Sequence, residues 1–354
     1  MQDIYLQNAF HLMLHSTKFV YSVTSSCNIA YNLFICFFLP HDLEVLMEKI
    51  KRVRNVNWKI WAPTFIILAG ITWGLIGLFS HDLRRVGLTP LQITHWRNLV
   101  SGISIVTFVL IKDKSLLKIF LRDLWMFFGT GVLSIAFFNI CYLTAMQESS
   151  IAVAVTLLYT SPVFLMLFSV FLFKEKFTAN KALAIVLAGT GLLFITGLIG
   201  AASVPITTRA LVFGVLSGFG YALYSVFGRF ALRKYNWLTI LAYTFIFAVI
   251  ALFPFADFPG MVEATFTETR AILSMLALGL VSTVMPFTFY TIGLKHMEIS
   301  KAALLTFVEP TVGMLVSVLV FKEAFTINYA IGMVLIVSSI IALNRPMRWA
   351  AVKK

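Results

Sequence analysis

The chain repeats itself at a fixed offset of 148 residues, and each copy holds an odd number of long apolar runs. Phe173-Lys174-Glu175-Lys176-Phe177-Thr178-Ala179-Asn180 returns as Phe321-Lys322-Glu323-Ala324-Phe325-Thr326-Ile327-Asn328, six identities in eight. Pro162 maps onto Pro310, Tyr142 onto Tyr290, Gly70 onto Gly218 and Leu75 onto Leu223, all without a gap. If each run crosses a membrane, an odd number per copy turns the second copy upside down. Inverted repeats place a binding site near the pseudo-twofold between the halves, an arrangement found in secondary transporters.

Composition makes the membrane reading firm. The chain is 60% hydrophobic and only 12% charged, with a mean hydropathy of +0.91. A soluble domain carries roughly 25% charged residues. The apolar runs are about 20 residues long and continuous, which suits helices; barrel strands would be about 10 residues and alternate. The net charge of +13 does not point to nucleic acid, because the basic residues sit in short loops between apolar runs. Cys27, Cys36 and Cys141 form no CxxC and no Cys/His ligand set, so no disulfide, metal site or cofactor follows.

Ten apolar stretches are expected to span, at about 61–80, 91–111, 124–145, 151–173, 181–200, 210–231, 237–256, 271–293, 299–321 and 327–343. Counting lysine and arginine on alternate sides gives 21 against five. The bias sets both termini in the cytoplasm. The expected class is therefore an all-α integral membrane protein of ten transmembrane helices. They form two inverted five-helix repeats, residues 61–200 and 210–343, followed by a basic tail over 344–354. Residues 1–60 form an N-terminal extension, of which the first 46 lie outside the repeat. Three readings of it stand open: an eleventh helix over 19–39, an interfacial or disordered extension, or sequence upstream of a true start at Met47.

Few residues in the spans can carry chemistry. Glu309 lies ten residues into its span, roughly 15 Å deep at about 1.5 Å per residue. A carboxyl at that depth is costly unless protonated or paired, so it is a candidate substrate or coupling site; a structural hydrogen bond to a neighbouring helix is the competing reading. Its repeat counterpart is Ser161, so the symmetry breaks there. Pro310, Pro162 and Pro286 are expected to kink their helices and free backbone carbonyls. Arg97 could pair with Glu309 or an anionic substrate group, or snorkel outward. His95, two residues away, points to another face. Trp73 and Tyr221 correspond across the repeat, as do Tyr142 and Tyr290. With Asn139 and Tyr159 they offer polar-tipped surface for an amphipathic substrate, although aromatics are abundant enough here that packing explains many of them.

The chain has no HExxH, no phosphate-binding Gly-x-x-x-x-Gly-Lys-Ser/Thr and no Gly-x-Ser-x-Gly. On Thr89-Pro90 with Arg97, Tyr142-Leu143-Thr144-Ala145-Met146, Leu158-Tyr159-Thr160-Ser161-Pro162 with Phe173-Lys174-Glu175, and Glu309-Pro310 with Lys322-Glu323, it resembles the EamA-like ten-helix permeases of the drug/metabolite transporter superfamily. The resemblance covers roughly residues 62–343. It implies a 5+5 inverted-repeat fold with a central cavity, and export or exchange of amino acids and related metabolites across the cell membrane. The expected partners are a small-molecule substrate, membrane lipid and, if coupled, protons. Uptake or exchange is the alternative direction. A membrane enzyme acting on lipid-linked substrates is the alternative class, with only Glu309, Arg97 and His95 to serve it. Monomer and homodimer remain open.

Overall fold

The computed structural model describes residues 57–199 and 206–344, all within one compact unit, Val53–Lys354. The expectations for the N-terminal extension and most of the basic tail lie outside the described residues. Among the described residues there is no strand. Ten long helical segments follow in order: α1 (Trp58–Arg85), α2 (Pro90–Lys112), α3 (Leu121–Glu148), α4 (Ile151–Phe173), α5 (Ala179–Ile195), α6 (Thr208–Ala231), α7 (Trp237–Phe255), α8 (Thr269–His296), α9 (Ile299–Leu319) and α10 (Ile327–Asn344). A short helix, Phe258–Thr265, joins α7 to α8. Seven of these segments (α1, α3, α4, α6, α7, α8 and α9) are long and apolar enough to cross a membrane, and α5 and α10 are shorter apolar helices.

Helix starts follow local chemistry. Thr89 caps α2 in a reciprocal capping box with Gln92, and Pro90 opens the first turn. Thr178, Thr207 and Asn236 cap α5, α6 and α7 with side-chain oxygens. Large apolar side chains such as Leu121, Ile111, Phe171 and Ile327 lie on the outside. That surface would aggregate in water and is stable against lipid.

The repeat is visible in the irregularities as much as in the helices. Gly129–Ala136 of α3 and Leu280–Val284 of α8 are both π-helical; the 148-residue offset superposes the second on the end of the first. Both α4 and α9 break near their middles, at Tyr159-Thr160 and Thr306-Phe307. Pro162 and Pro310 sit in the first turn after each break, where a missing N–H costs nothing. Pro286 opens the helix that resumes after the π-helical turn of α8. Lys174 and Lys322 both adopt left-handed backbone, with φ of 55° and 61°. Each closes its helix, with Glu175 N–H donating to Ser169 C=O at 2.9 Å and Glu323 N–H to Ser317 C=O at 3.2 Å.

Packing exchanges partners between the copies. The first helix of each repeat lies against the third and fourth helices of the other: α1 on α8 and α9, α6 on α3 and α4. Glycine makes the approach close. A Cβ on Gly74 would stand 2.9 Å from the Glu309 carbonyl oxygen and 2.6 Å from Val312 Cβ. Gly218, the counterpart of Gly70, lies equally tightly on Leu157, Leu158 and Thr160. Without water to drive association, such small-residue contacts carry helix packing in a bilayer. α5 and α10 run antiparallel, since Asn180 near the start of α5 donates to Ala342 C=O at 3.1 Å and Asn328 near the start of α10 donates to Ile199 C=O at 3.2 Å.

Candidate functional site

The breaks in α4 and α9 meet at the boundary between the copies. Tyr159 and its repeat counterpart Phe307 face each other with ring centroids 4.9 Å apart. Glu309 follows directly: its N–H donates to Thr306 C=O at 2.9 Å, which starts the second half of α9. The absence of a side chain at Gly74 lets the α1 backbone lie against the start of this second half, where a Cβ would stand 2.9 Å from Glu309 C=O. The Glu309 carboxyl thus sits at the interruption of a helix, where backbone and side chain are both turned inward.

Around it the structure assembles five of the predicted residues. The Tyr159 hydroxyl lies beside the Glu309 carboxyl, yet makes no hydrogen bond of ordinary geometry. Tyr142, Tyr221 and Arg97 all lie within electrostatic reach of Glu309. These groups are deep in the protein, and each nevertheless keeps some accessible surface. That combination describes residues lining an internal space. Its floor is aromatic: Trp73 stands 5.3 Å from Phe287, 5.5 Å from Tyr290 and 6.5 Å from Tyr221, centroid to centroid.

Two buried polar atoms of this group, Arg97 Nε and the Tyr159 hydroxyl, have no hydrogen-bond partner, and the same holds of Ser282 Oγ and Thr311 Oγ1 elsewhere in α8 and α9. An unsatisfied buried donor or acceptor costs about 1–3 kcal/mol. Such groups persist where another molecule satisfies them. Ser282 stands in the π-helical turn of α8 and Thr311 two residues beyond Glu309. Neither was singled out from sequence, because serine and threonine in a span ordinarily bond back to their own helix. Most here do so, as Thr72, Ser104 and Thr144 illustrate.

The remaining predicted residues are held by hydrogen bonds or packing of their own. Tyr290 is buried, and its hydroxyl bonds Ser225 at 2.6 Å across the α8–α6 contact. Asn139 donates to Ile135 C=O at 2.7 Å, closing the widened turn of its own helix. His95 is completely buried against Phe253 and Phe258, at 6.1 and 6.4 Å, with neither ring nitrogen bonded. Among the described residues no group of three or more His, Cys, Asp or Glu could hold a metal.

Comparison with known proteins agrees with this architecture. Residues 60–197 and 208–345 each match the EamA-like transporter family. An uncharacterized transporter of Archaeoglobus fulgidus is 28% identical over 281 residues, covering 78% of this chain and 93% of that protein. The uncharacterized inner membrane transporter YicL of Salmonella typhimurium is 25% identical over 291 residues, covering 80% and 95%. The uncharacterized transporter YdfC of Bacillus subtilis is 26% identical over 272 residues, covering 75% and 87%. A crystal structure of a protein 18% identical in sequence superposes with a TM-score of 0.66 over 80% of this chain and 96% of that one, a likeness of fold. With both copies of its repeat matched, the chain belongs to the EamA-like transporter family, a multi-pass protein of the cell membrane.

Proposed function

We propose that this transporter moves a small amphipathic metabolite, an amino acid or related compound, outward by alternating access between two inverted five-helix repeats. Ten spans with both termini cytoplasmic support that topology: the basic residues are biased 21 to five, and α5 and α10 pack antiparallel. The observation that carries the reading is the pair of unpartnered polar atoms around Glu309, the Tyr159 hydroxyl and Arg97 Nε, set among Trp73, Tyr142 and Tyr221. A carboxylate and a guanidinium held apart in one space suit a solute bearing a cationic and an anionic group, and the aromatic floor suits an apolar body. Glu309, with a solute ammonium or a proton as partner, would supply the coupling.

The test compares intracellular and extracellular metabolites in cells that overexpress the chain, overexpress Glu309→Gln, or lack it. A class of metabolite should leave the cell in the first case only, with the variant present in the membrane at equal level. An identical metabolite profile for Glu309→Gln and the unmodified chain would remove Glu309 from the mechanism.

A further inference from the structure

The two ends of the space between the repeats are built from the same sequence element and are not in the same state. At one end Glu175 holds the first turn of α9. Ile299 N–H donates to Glu175 Oε1 at 2.8 Å, and the Ser300 hydroxyl and N–H donate to Oε2 at 2.5 and 3.4 Å. Lys181, with only 2% of its side chain exposed, lies 2.8 Å from Glu298 and 3.7 Å from Glu175, and donates to Lys176 C=O at 2.9 Å. Lys301 adds a second cation 3.5 Å from Glu298. Arg229 donates to the Leu294 and Met297 carbonyls at the end of α8. Ile299 is 0% exposed.

The offset of 148 carries each part to the other end. Glu175 becomes Glu323, Ile299 becomes Ile151, Ser300 becomes Ala152, Lys181 becomes Tyr329, Glu298 becomes Ser150 and Arg229 becomes His81. Glu323 emerges from the same left-handed turn as Glu175, so the same backbone presents it. It is exposed, and lies beside Tyr329 of its own hairpin. Ser150 caps α4 by itself, accepting from Val153 N–H at 3.2 Å. Ile151 is 54% exposed. One end is therefore latched and the other is not.

We propose that Glu175 and Glu323 are alternating gate latches, each holding the first turn of the repeat-related helix when its own end is closed. Closing the Glu323 end brings Ile151 and Ala152 N–H groups to the Glu323 carboxylate as Glu175 releases Ile299 and Ser300. One carboxylate on helix N–H groups replaces another, so the exchange is close to balanced, as a cycling protein needs. The balance is tilted by the residues that break the repeat. Lys181 and Glu298 reinforce the Glu175 end, and Tyr329 and Ser150 offer no such ion pair, so the resting protein is closed at Glu175. This inference rests on the alternating-access reading above.

The experiment measures alkylation of single cysteines, Ile151→Cys or Ile299→Cys, in the full chain lacking its native cysteines and reconstituted in lipid vesicles. At rest Ile151→Cys reacts fast and Ile299→Cys slowly. Lys181→Tyr, which installs the residue found at the other end, should speed Ile299→Cys and slow Ile151→Cys, changing their ratio by about tenfold or more, equivalent to about 1.4 kcal/mol. Glu298→Ser, at a half-exposed position, should act in the same direction without risk to folding. Adding Glu323→Gln to Lys181→Tyr should restore fast labelling of Ile151→Cys. Faster labelling at both cysteines would mean loosening without exchange and would overturn the latch, as would no change at either. Export measured on the same variants stands apart: failure of the latch with export intact leaves the transport reading in place.

Discussion

Gly191 and Gly189 lie two residues apart in α5 and make opposite predictions. A Cβ on Gly191 would meet Gly332 C=O at 2.8 Å, Ile336 Cγ1 at 2.9 Å and Leu335 Cβ at 3.1 Å, while a Cβ on Gly189 would meet nothing within 4 Å. The nearest obstacle to Gly191 is backbone, which cannot rotate away, and a Cβ on Gly332 would in return stand 2.7 Å from Gly191 C=O. Gly191→Ala must push α5 and α10 apart, at about 1–3 kcal/mol for overpacking. Each Gly→Ala change also removes a helix penalty of roughly 0.5–1 kcal/mol. Gly189→Ala should therefore raise stability by that amount, and Gly191→Ala should lower it by a net of up to ~2.5 kcal/mol, the difference of the two effects. Thermal unfolding of the purified protein in detergent should place the two variants on either side of the unmodified chain. Gly191→Ala melting at or above Gly189→Ala would refute the close α5–α10 contact.

Three further outcomes follow from the geometry. Glu309→Gln keeps shape and loses ionisation, so its melting temperature should stay near that of the unmodified chain while export falls severalfold or loses its pH dependence between pH 5 and 8; normal export throughout would make Glu309 structural. Cysteines at Thr178 and Thr326, in a background without native cysteines, should react with an impermeant reagent from opposite sides of the membrane, and labelling of both from one side would end the inverted-repeat topology. Burial pushes the Glu298 carboxyl up, but the hydrogen bond and charge of Lys181, with Lys301, hold it below its ordinary value of 4.5. A depressed carboxyl contributes fully above its ordinary value and is lost only as pH falls through the lower one. Protection of Ile299→Cys should thus be constant from pH 8 to 5, and loss of protection by pH 6 would contradict that ion pair.

The spacing of 148 made the pairs legible: Trp73 with Tyr221 and the breaks before Pro162 and Pro310 all appear where the offset puts them. Glu309 was legible because a carboxylate deep in an apolar run has few innocent explanations. Lys181 was not. It opens an apolar run, where lysine ordinarily reaches the aqueous boundary, and only the fold brings Glu175 and Glu298 over it. Asn139 shows what sequence position alone leaves open, since a polar side chain in a span can also serve its own helix, and here its amide donates to a carbonyl of the π-helical turn. The exchange of partners between copies was equally hidden, because periodicity marks which face of a helix packs and says nothing of which helix it meets.

That exchange has a consequence for how the chain is made. Gly74 packs against Glu309 across 235 residues of sequence, which at about 5–20 residues per second separates their synthesis by roughly 10–50 s. Throughout that interval α1 has emerged and its seat on α9 does not yet exist. The glycine face that later admits the Glu309 turn must meanwhile rest against lipid or a membrane chaperone. A ribosome that stalls before α9 therefore leaves a bundle whose first helix rests on α8 without α9, with its glycine face uncovered.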